Sequence, residues 1–160
     1  MITIVDMQVR LASLIDKHCS AKEVGEYKSL MIGFGGEVSR PTARNPLAVR
    51  HEWEIGTYTA AWRIVNDQEV LCGSMDPVNE NTELDQKLQD LQLGFVVKIE
   101  MTSRFDIRIV LSGNSYVEFI CASSDDDEML HIFGPDNFFA KYSVVDGWAV
   151  DDAGNRLKFT

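Results

Sequence analysis

The sequence predicts an α+β fold in which an antiparallel β-sheet, rich in meander connections, carries an N-terminal helix and one short mid-chain helix. Two segments have apolar residues spaced three and four apart, as amphipathic helices do. Many more short segments have apolar residues at alternate positions, as half-buried strands do. Because no regular βαβ alternation occurs, we expect the strands to pair antiparallel and the sheet to close as a half-barrel or a sandwich.

The first 50 residues are predicted to form a helix and a strand. Apolar residues at helical spacing indicate a helix over residues 4–18. The run Tyr27–Phe34 has the length of a strand and ends at a glycine pair, which is a turn signal. Two prolines and three arginines within residues 39–50 are typical of a surface connection.

Residues 51–160 are predicted to form a strand-rich body with one helix near residues 82–91. Strict alternation in three segments of residues 95–121, joined by short turns, indicates an antiparallel meander. Because 160 residues suit one core and no linker interrupts them, we expect residues 1–160 to form a single domain. The tryptophans are expected in the core. Further strands are predicted at residues 51–56, 60–66, 69–74, 129–133, 138–145, 148–150 and 157–159.

The charge is strongly negative and unevenly distributed. The formal net charge at pH 7 is -10, and the isoelectric point is about 4.7. Residues 1–75 carry nine acidic and eight basic side chains, whereas residues 76–160 carry sixteen and seven. Nucleic acids and anionic membrane surfaces attract basic proteins, so we expect no binding to either. The natural complement is a basic protein partner.

The cysteines and the N-terminal residues indicate a cytoplasmic protein. Cys19, Cys72 and Cys121 lie far apart, and an odd number of cysteines suits free thiols rather than a disulfide framework. Residues 1–10 lack the basic start and cleavage site of a signal peptide. No apolar run approaches the ~20 residues of a transmembrane helix.

No motif predicts catalysis, a cofactor or a metal ion. The run Gly33–Gly36 precedes no helix pattern and lacks the lysine of a phosphate-binding loop, so it is expected to form a sharp turn or a β-bulge. His18, His51 and His131 lie on separate elements without the spacing of a zinc site. We therefore expect a protein that is not an enzyme and needs no cofactor.

Two acidic segments are the candidate surface for a basic partner. Residues 76–83 (DPVNENTE) lead into the mid-chain helix, and residues 123–128 (SSDDDE) form an acidic loop. Such a run is usually a solvated loop, and its alternative role is to dock a cationic partner. The predicted partner-binding residues are Asp125, Asp126, Asp127, Glu128, Glu80 and Glu83.

A resemblance suggests what kind of partner this is. Ala61-Trp62-Arg63-Ile64, the acidic spacer from Asp76 to Leu91, the strands from Phe95 to Cys121 and the late Gly147-Trp148 pair carry it. Over residues 56–150 this pattern resembles small uncharacterised bacterial cytosolic proteins, among them immunity proteins of polymorphic or contact-dependent toxin systems. The resemblance implies a stoichiometric inhibitor that binds a cognate toxin domain and covers its active site.

Two other functions remain open. The polar and aromatic residues His51, Trp53 and Glu54 allow a small-ligand site or an active site assembled from distant strands, which a deep pocket lined by these groups would favour. A meander also leaves sheet edges with unpaired backbone groups, so the chain can serve as a component of a homo-oligomer. The sequence is compatible with a monomer or a homodimer.

Overall fold

The computed structural model describes residues 3–58, 61–125 and 128–151. These residues form two antiparallel sheets and two α-helices, joined by turns and loops. The α+β prediction is confirmed. The helices are α1 (Ile4–Arg10) and α2 (Asn81–Gln89). The strands are β1 (Cys19–Val24), β2 (Leu30–Ser39), β3 (Val49–Thr57), β4 (Ala61–Val65), β5 (Val70–Gly73), β6 (Val96–Met101), β7 (Ile107–Leu111), β8 (Ser115–Ile120), β9 (Glu128–Phe133), β10 (Phe139–Ser143) and β11 (Gly147–Asp151).

The strands are divided between sheet I, with the order β1-β2-β3-β9-β10-β11, and sheet II, with the order β5-β4-β8-β7-β6. The chain passes from sheet I to sheet II between β3 and β4 and returns between β8 and β9. The predicted meander is confirmed, because β6, β7 and β8 are neighbours in chain order. The two central strands of sheet I, β3 and β9, pair with each other although about 70 residues separate them in the chain.

The inner faces of both sheets contribute to one cluster of buried apolar side chains. On β7 of sheet II, Ile107 and Ile109 are fully buried and alternate with partly exposed residues. On β3 of sheet I, Trp53 and Ile55 are buried. Each such side chain stabilises the fold by roughly 1.5–3 kcal/mol. The prediction that Trp53, Trp62 and Trp148 are core residues is confirmed.

The predicted helix over residues 4–18 is too long. A capping box starts α1: the side chain of Thr3 accepts from the backbone N–H of Asp6, whose carboxylate accepts from the backbone N–H of Thr3. After seven residues the helix gives way to a 3-10 turn at Ala12–Leu14, and Leu11 and Leu14 remain buried there. A 3-10 turn thus buries apolar residues spaced three apart just as an α-helix does, and the spacing does not distinguish the two.

Strand β1 and the second half of β2 were not predicted. β1 has the sequence CSAKEV, in which only Val24 is buried, so it shows no alternation. The glycine pair at the expected end of β2 does not end the strand. The register of the pairing with β3 shifts between Phe34 and Glu37, and Gly35 has φ +82°. Of the two predicted alternatives, a sharp turn and a β-bulge, this site is therefore the β-bulge.

The mid-chain helix agrees with its prediction, since α2 starts one residue before and ends two residues before the expected bounds. Its buried residues are Leu84 and Leu88, and the helix packs on β1 and β5. The strand predicted at residues 157–159 lies outside the described residues. Within the described chain the two helices have seven and nine residues, which is too short to cross a membrane that takes about 20.

Candidate functional site

The turn at Gly25–Ser29 holds an aromatic side chain outside the core on a strained backbone. Tyr27 has φ 55° and ψ 27°, and Lys28 has φ 57°. The left-handed region costs a non-glycine residue about 1–2 kcal/mol. The side chain of Tyr27 is 85% exposed, so its own burial does not offset this cost. Strain of this kind persists where surrounding contacts enforce it, and it is concentrated at functional sites.

Three hydrogen bonds enforce the conformation of this turn. Nε1 of the buried Trp62 donates to the carbonyl oxygen of Lys28 at 2.8 Å. Nζ of Lys28 donates to the carbonyl oxygen of Asp76 at 3.0 Å. Nδ2 of Asn81, the first residue of α2, donates to the carbonyl oxygen of Gly25 at 2.9 Å. Sheet II, the segment before α2 and α2 itself therefore all hold the turn that displays Tyr27.

A groove of about 320 Å³ opens beside this turn, and we call it the Tyr27 groove. It lies where β4 begins and β8 ends, because Ala61 and Ile120 line it. Met75 also lines it and is 87% exposed. Asp125 adds a carboxylate to the lining. The groove thus combines two exposed apolar side chains with a negative charge.

The predicted partner-binding acids lie in different surroundings. Asp125 is exposed and lines the Tyr27 groove. Glu80 and Glu83 are exposed at the start of α2, which packs against the turn at Gly25–Ser29 without contributing them to the groove lining. Glu128 points elsewhere, since its Oε1 bonds to Nδ1 of His131 at 2.8 Å. The remaining two, Asp126 and Asp127, lie outside the described residues.

A second concavity lies on the outer face of sheet I. It has a volume of about 360 Å³, and we call it the Glu54 pocket. Glu54 and His131 line it, and each is only 7% exposed. Tyr58 and two arginines, Arg40 and Arg50, also line it, together with three hydroxyl side chains: Ser29, Thr42 and Thr57.

The predicted cluster of His51, Trp53 and Glu54 is divided by the structure. Successive strand residues point to opposite faces, so Trp53 enters the core while Glu54 faces the pocket. His51 covers Gly33 instead, and its Nδ1 lies 3.0 Å from Oγ of Ser20. Of the three residues, Glu54 alone lines the pocket.

Aromatic rings form a chain across this face. The ring centroids of Tyr58 and His131 are 4.6 Å apart, those of His131 and Phe133 are 5.4 Å apart, and those of Phe133 and Phe139 are 4.9 Å apart. Partial burial raises the pKa of Tyr58, and the negative charge of Glu128 adds to this effect, while the positive charge of Arg50 opposes it. The Tyr58 phenol therefore stays protonated at neutral pH and can donate a hydrogen bond.

The outer face of sheet II carries a row of alternating charges that we call the charge ladder. Glu100, Arg108, Glu118 and Arg63 occupy directly opposed positions on β6, β7, β8 and β4. Arg108 pairs with Glu118 at 3.5 Å and with Glu100 at 3.9 Å, and Arg63 pairs with Glu118 at 3.4 Å. Lys98 pairs with Glu100 at 2.9 Å. The charges of this face are therefore largely neutralised by one another.

Burial keeps two of the three cysteines, Cys19 and Cys72, as protonated thiols. All three are free thiols, as predicted. Burial, the largest cause, raises the pKa of Cys72 to about 11, and it also raises the pKa of Cys19, so both stay protonated at neutral pH. Among the described residues no three His, Cys, Asp or Glu side chains come together as ligands for a metal ion.

Sequence reasoning missed Tyr27 and Met75. Tyr27 begins an apolar run of strand length, and nothing in that run separates a first residue in a strained turn from a strand residue. Met75 follows a predicted strand and shows no pattern of its own. Tyr58 was also missed. It directly follows β3, and its place in the pocket depends on residues that other parts of the chain contribute to the lining.

Comparisons with protein-family models, with curated proteins and with solved structures found no match to this chain. They therefore neither support nor contradict the resemblance to immunity proteins, which stays a prediction.

Proposed function

We propose that this chain is a non-catalytic binding protein that neutralises a basic protein partner, in the way that an immunity protein neutralises its cognate toxin. The partner binds at the Tyr27 groove. One observation carries the proposal: an almost fully exposed tyrosine is held in a strained conformation by hydrogen bonds from three parts of the fold, at the rim of a groove.

The residue types at the groove are those that anchor protein partners. Tyrosine and methionine are enriched at interfaces, and tyrosine is common among the few residues that supply most of the binding free energy. Tyr27 and Met75 are both more than four-fifths exposed in the free protein, so each has most of its surface available to a partner. Because hydrogen bonds fix the turn before binding, little backbone entropy is lost in the complex.

The charge around the groove favours a basic partner. Asp125 lies in the lining, and the exposed Glu80 and Glu83 lie on the helix that packs against the turn. Residues 76–160 carry sixteen acidic and seven basic side chains. A field of this sign accelerates the encounter with a cationic surface, and salt weakens it over a Debye length of about 10 Å at 0.1 M.

The test begins with capture of a basic protein from the native host at low salt, and then measures the binding of that purified protein to variants of this chain. Met75→Ala and Leu47→Ala form a matched pair, because both side chains are 87% exposed and only Met75 lines the groove. We expect Tyr27→Gly and Met75→Ala each to weaken binding by about tenfold or more, while Leu47→Ala changes it by less than about twofold.

The salt dependence tests the charge. We expect the association rate to fall about tenfold or more between about 0.05 M and about 0.5 M salt, with Asp125→Asn reducing this slope. Equal affinities for the Met75→Ala and Leu47→Ala variants would contradict the groove as the binding site. An association rate that salt does not change would contradict a basic partner.

A stability measurement separates lost binding from lost folding. In Tyr27→Gly the left-handed backbone no longer carries a Cβ, and little buried surface is lost. We expect the free energy of unfolding in urea to stay the same or to rise by up to about 1 kcal/mol. A fall of more than about 1 kcal/mol would show that Tyr27 serves the fold, and it would remove the strain argument.

A further inference from the structure

The Glu54 pocket contains polar groups that the proposed function does not use. Glu54 and His131 are more than nine-tenths buried on the outer face of sheet I. Within the described chain, the Glu54 carboxylate accepts one hydrogen bond, a long one of 3.3 Å from the backbone N–H of His51. A carboxylate can accept several hydrogen bonds through its two oxygens. The pocket thus holds acceptor capacity for a ligand.

The sign of the charge reverses at this pocket. Residues 39–50 contain three arginines and no acidic residue, in a chain whose net charge is -10. Two of these arginines, Arg40 and Arg50, line the pocket. Nη2 of Arg40 donates to the carbonyl oxygens of Glu52 and Gly134 at 2.8 and 3.0 Å, which fixes the guanidinium at the wall. Guanidinium groups bind phosphates and carboxylates with defined geometry.

Tyr58 supplies a surface for stacking. One part of its ring contacts His131, with a centroid distance of 4.6 Å, and the side chain as a whole is 62% exposed. Glu128 bonds to Nδ1 of His131 at 2.8 Å and holds that imidazole in place. A planar ring that stacks on a tyrosine gains about 1–3 kcal/mol in other proteins. The exposed surface of Tyr58 therefore favours a flat, aromatic ligand.

We propose that the Glu54 pocket is a binding site for a nucleoside monophosphate, separate from the Tyr27 groove. The phosphate binds the guanidinium groups of Arg50 and Arg40. The base stacks on Tyr58, and the N–H groups of the base donate hydrogen bonds to the carboxylate of Glu54. The volume of about 360 Å³ lies within the ~300–1,000 Å³ of small-molecule sites. Guanine is the preferred base, because its adjacent N–H groups match the two oxygens of a carboxylate, whereas adenine offers a lone pair at the same edge.

Calorimetric titrations of the full chain at low salt test this site with four probes: GMP, AMP, guanosine and inorganic phosphate. We expect GMP to bind with a Kd below about 1 mM. AMP, guanosine and phosphate are each expected to bind about tenfold or more weakly than GMP. AMP lacks the base contact with Glu54, guanosine lacks the phosphate, and inorganic phosphate lacks both the stacking and the base contact. Absence of GMP binding, or equal binding of phosphate alone, would overturn the proposal.

Variants assign the interactions. Arg50→Gln and Tyr58→Ala are expected to weaken GMP binding by about tenfold or more, while Arg104→Gln, a change at an exposed arginine outside the pocket, leaves it within about twofold. Glu54→Gln is expected to remove the preference for GMP over AMP, and circular dichroism verifies that each variant is folded. GMP binding that survives Arg50→Gln would contradict the site. Tyr27→Gly should leave GMP binding unchanged, so this proposal and the proposed function fail separately.

Discussion

The outer faces of the two sheets are built in opposite ways. On sheet II, Arg108 and Glu118 belong to a ladder in which each charge has an opposite charge on the neighbouring strand. On sheet I, Glu54 is buried in a pocket that two arginines also line, beside a chain of aromatic rings, and its carboxylate accepts one hydrogen bond within the described chain. The charges on sheet II are paired with one another, although Nε of Arg108 is buried without a hydrogen-bond partner among the described residues. The Glu54 carboxylate on sheet I keeps acceptor capacity that a ligand in the pocket can use.

The largest effect is expected at Gly56 on β3 of sheet I. A Cβ added at Gly56 would overlap the carbonyl oxygen of Leu30 on the neighbouring strand. We expect Gly56→Ala to lower the free energy of unfolding by about 2–3 kcal/mol, because β2 and β3 must separate. Urea denaturation measures this change.

Gly36→Ala is the matched control for that substitution. No atom lies within 4 Å of a Cβ added at Gly36, and we expect a change of less than about 0.5 kcal/mol. Equal effects of the two substitutions would show that close packing of β2 on β3 does not shape this face.

An intermediate effect is expected on the charge ladder. The side chain of Glu118 is 9% exposed and pairs with both Arg63 and Arg108. Glu118→Gln leaves these two arginines facing each other without the charge between them, and we expect the free energy of unfolding to fall by roughly 1–2 kcal/mol. The control is Lys98→Gln, at a side chain that is 55% exposed, with an expected change below about 0.5 kcal/mol. If Lys98→Gln lowered the free energy of unfolding more than Glu118→Gln does, the buried Glu118 would not be the residue through which the charge ladder stabilises the fold.

The smallest effect compares one tyrosine on each face. The hydrogen bond to Asp67 raises the pKa of Tyr116 on sheet II, whereas burial is the main cause that raises the pKa of Tyr58 on sheet I. Asp67→Asn should therefore lower the pKa of Tyr116 and leave that of Tyr58 unchanged, as followed by NMR titration. A raised folded pKa gives a stability contribution that is present below the pKa of the unfolded chain and is lost as pH rises through the folded value. The Asp67→Asn variant should thus lose less stability than the unmodified chain when Tyr116 ionises at alkaline pH. An unchanged pKa of Tyr116 in this variant would contradict the hydrogen bond to Asp67 as the cause of the raised pKa.

The sequence predicted the parts of the fold that depend on strict alternation. The meander of β6, β7 and β8 was foreseen because Ile107 and Ile109 lie on one face of a strand that is half exposed. β1 was not foreseen, since it is an edge strand in which only Val24 is buried and no regular burial alternation appears. The 3-10 turn after α1 was read as helix, because burial of Leu14 requires only the spacing and not the α-helical hydrogen bonds.

The candidate sites were predictable only in part. Glu54 was singled out because it lies in a polar and aromatic stretch, but its partners Arg40 and His131 come from elements that the topology brings together. Asp125 was identified by the acidic run around it. Tyr27 depends on a backbone conformation that three distant residues enforce, so no local pattern reveals it.

The pairing of β3 with β9 bears on how the molecule is synthesised. All five strands of sheet II lie within residues 61–120, so they can pair as soon as that stretch has left the ribosome. β3 can pair with β2 early, but its other edge must wait for β9, and pairings between distant residues are slow to form. Until residues 128–133 emerge, Glu54 lies on an open strand edge and the pocket does not exist. GMP binding would therefore detect chains in which β9 has paired with β3.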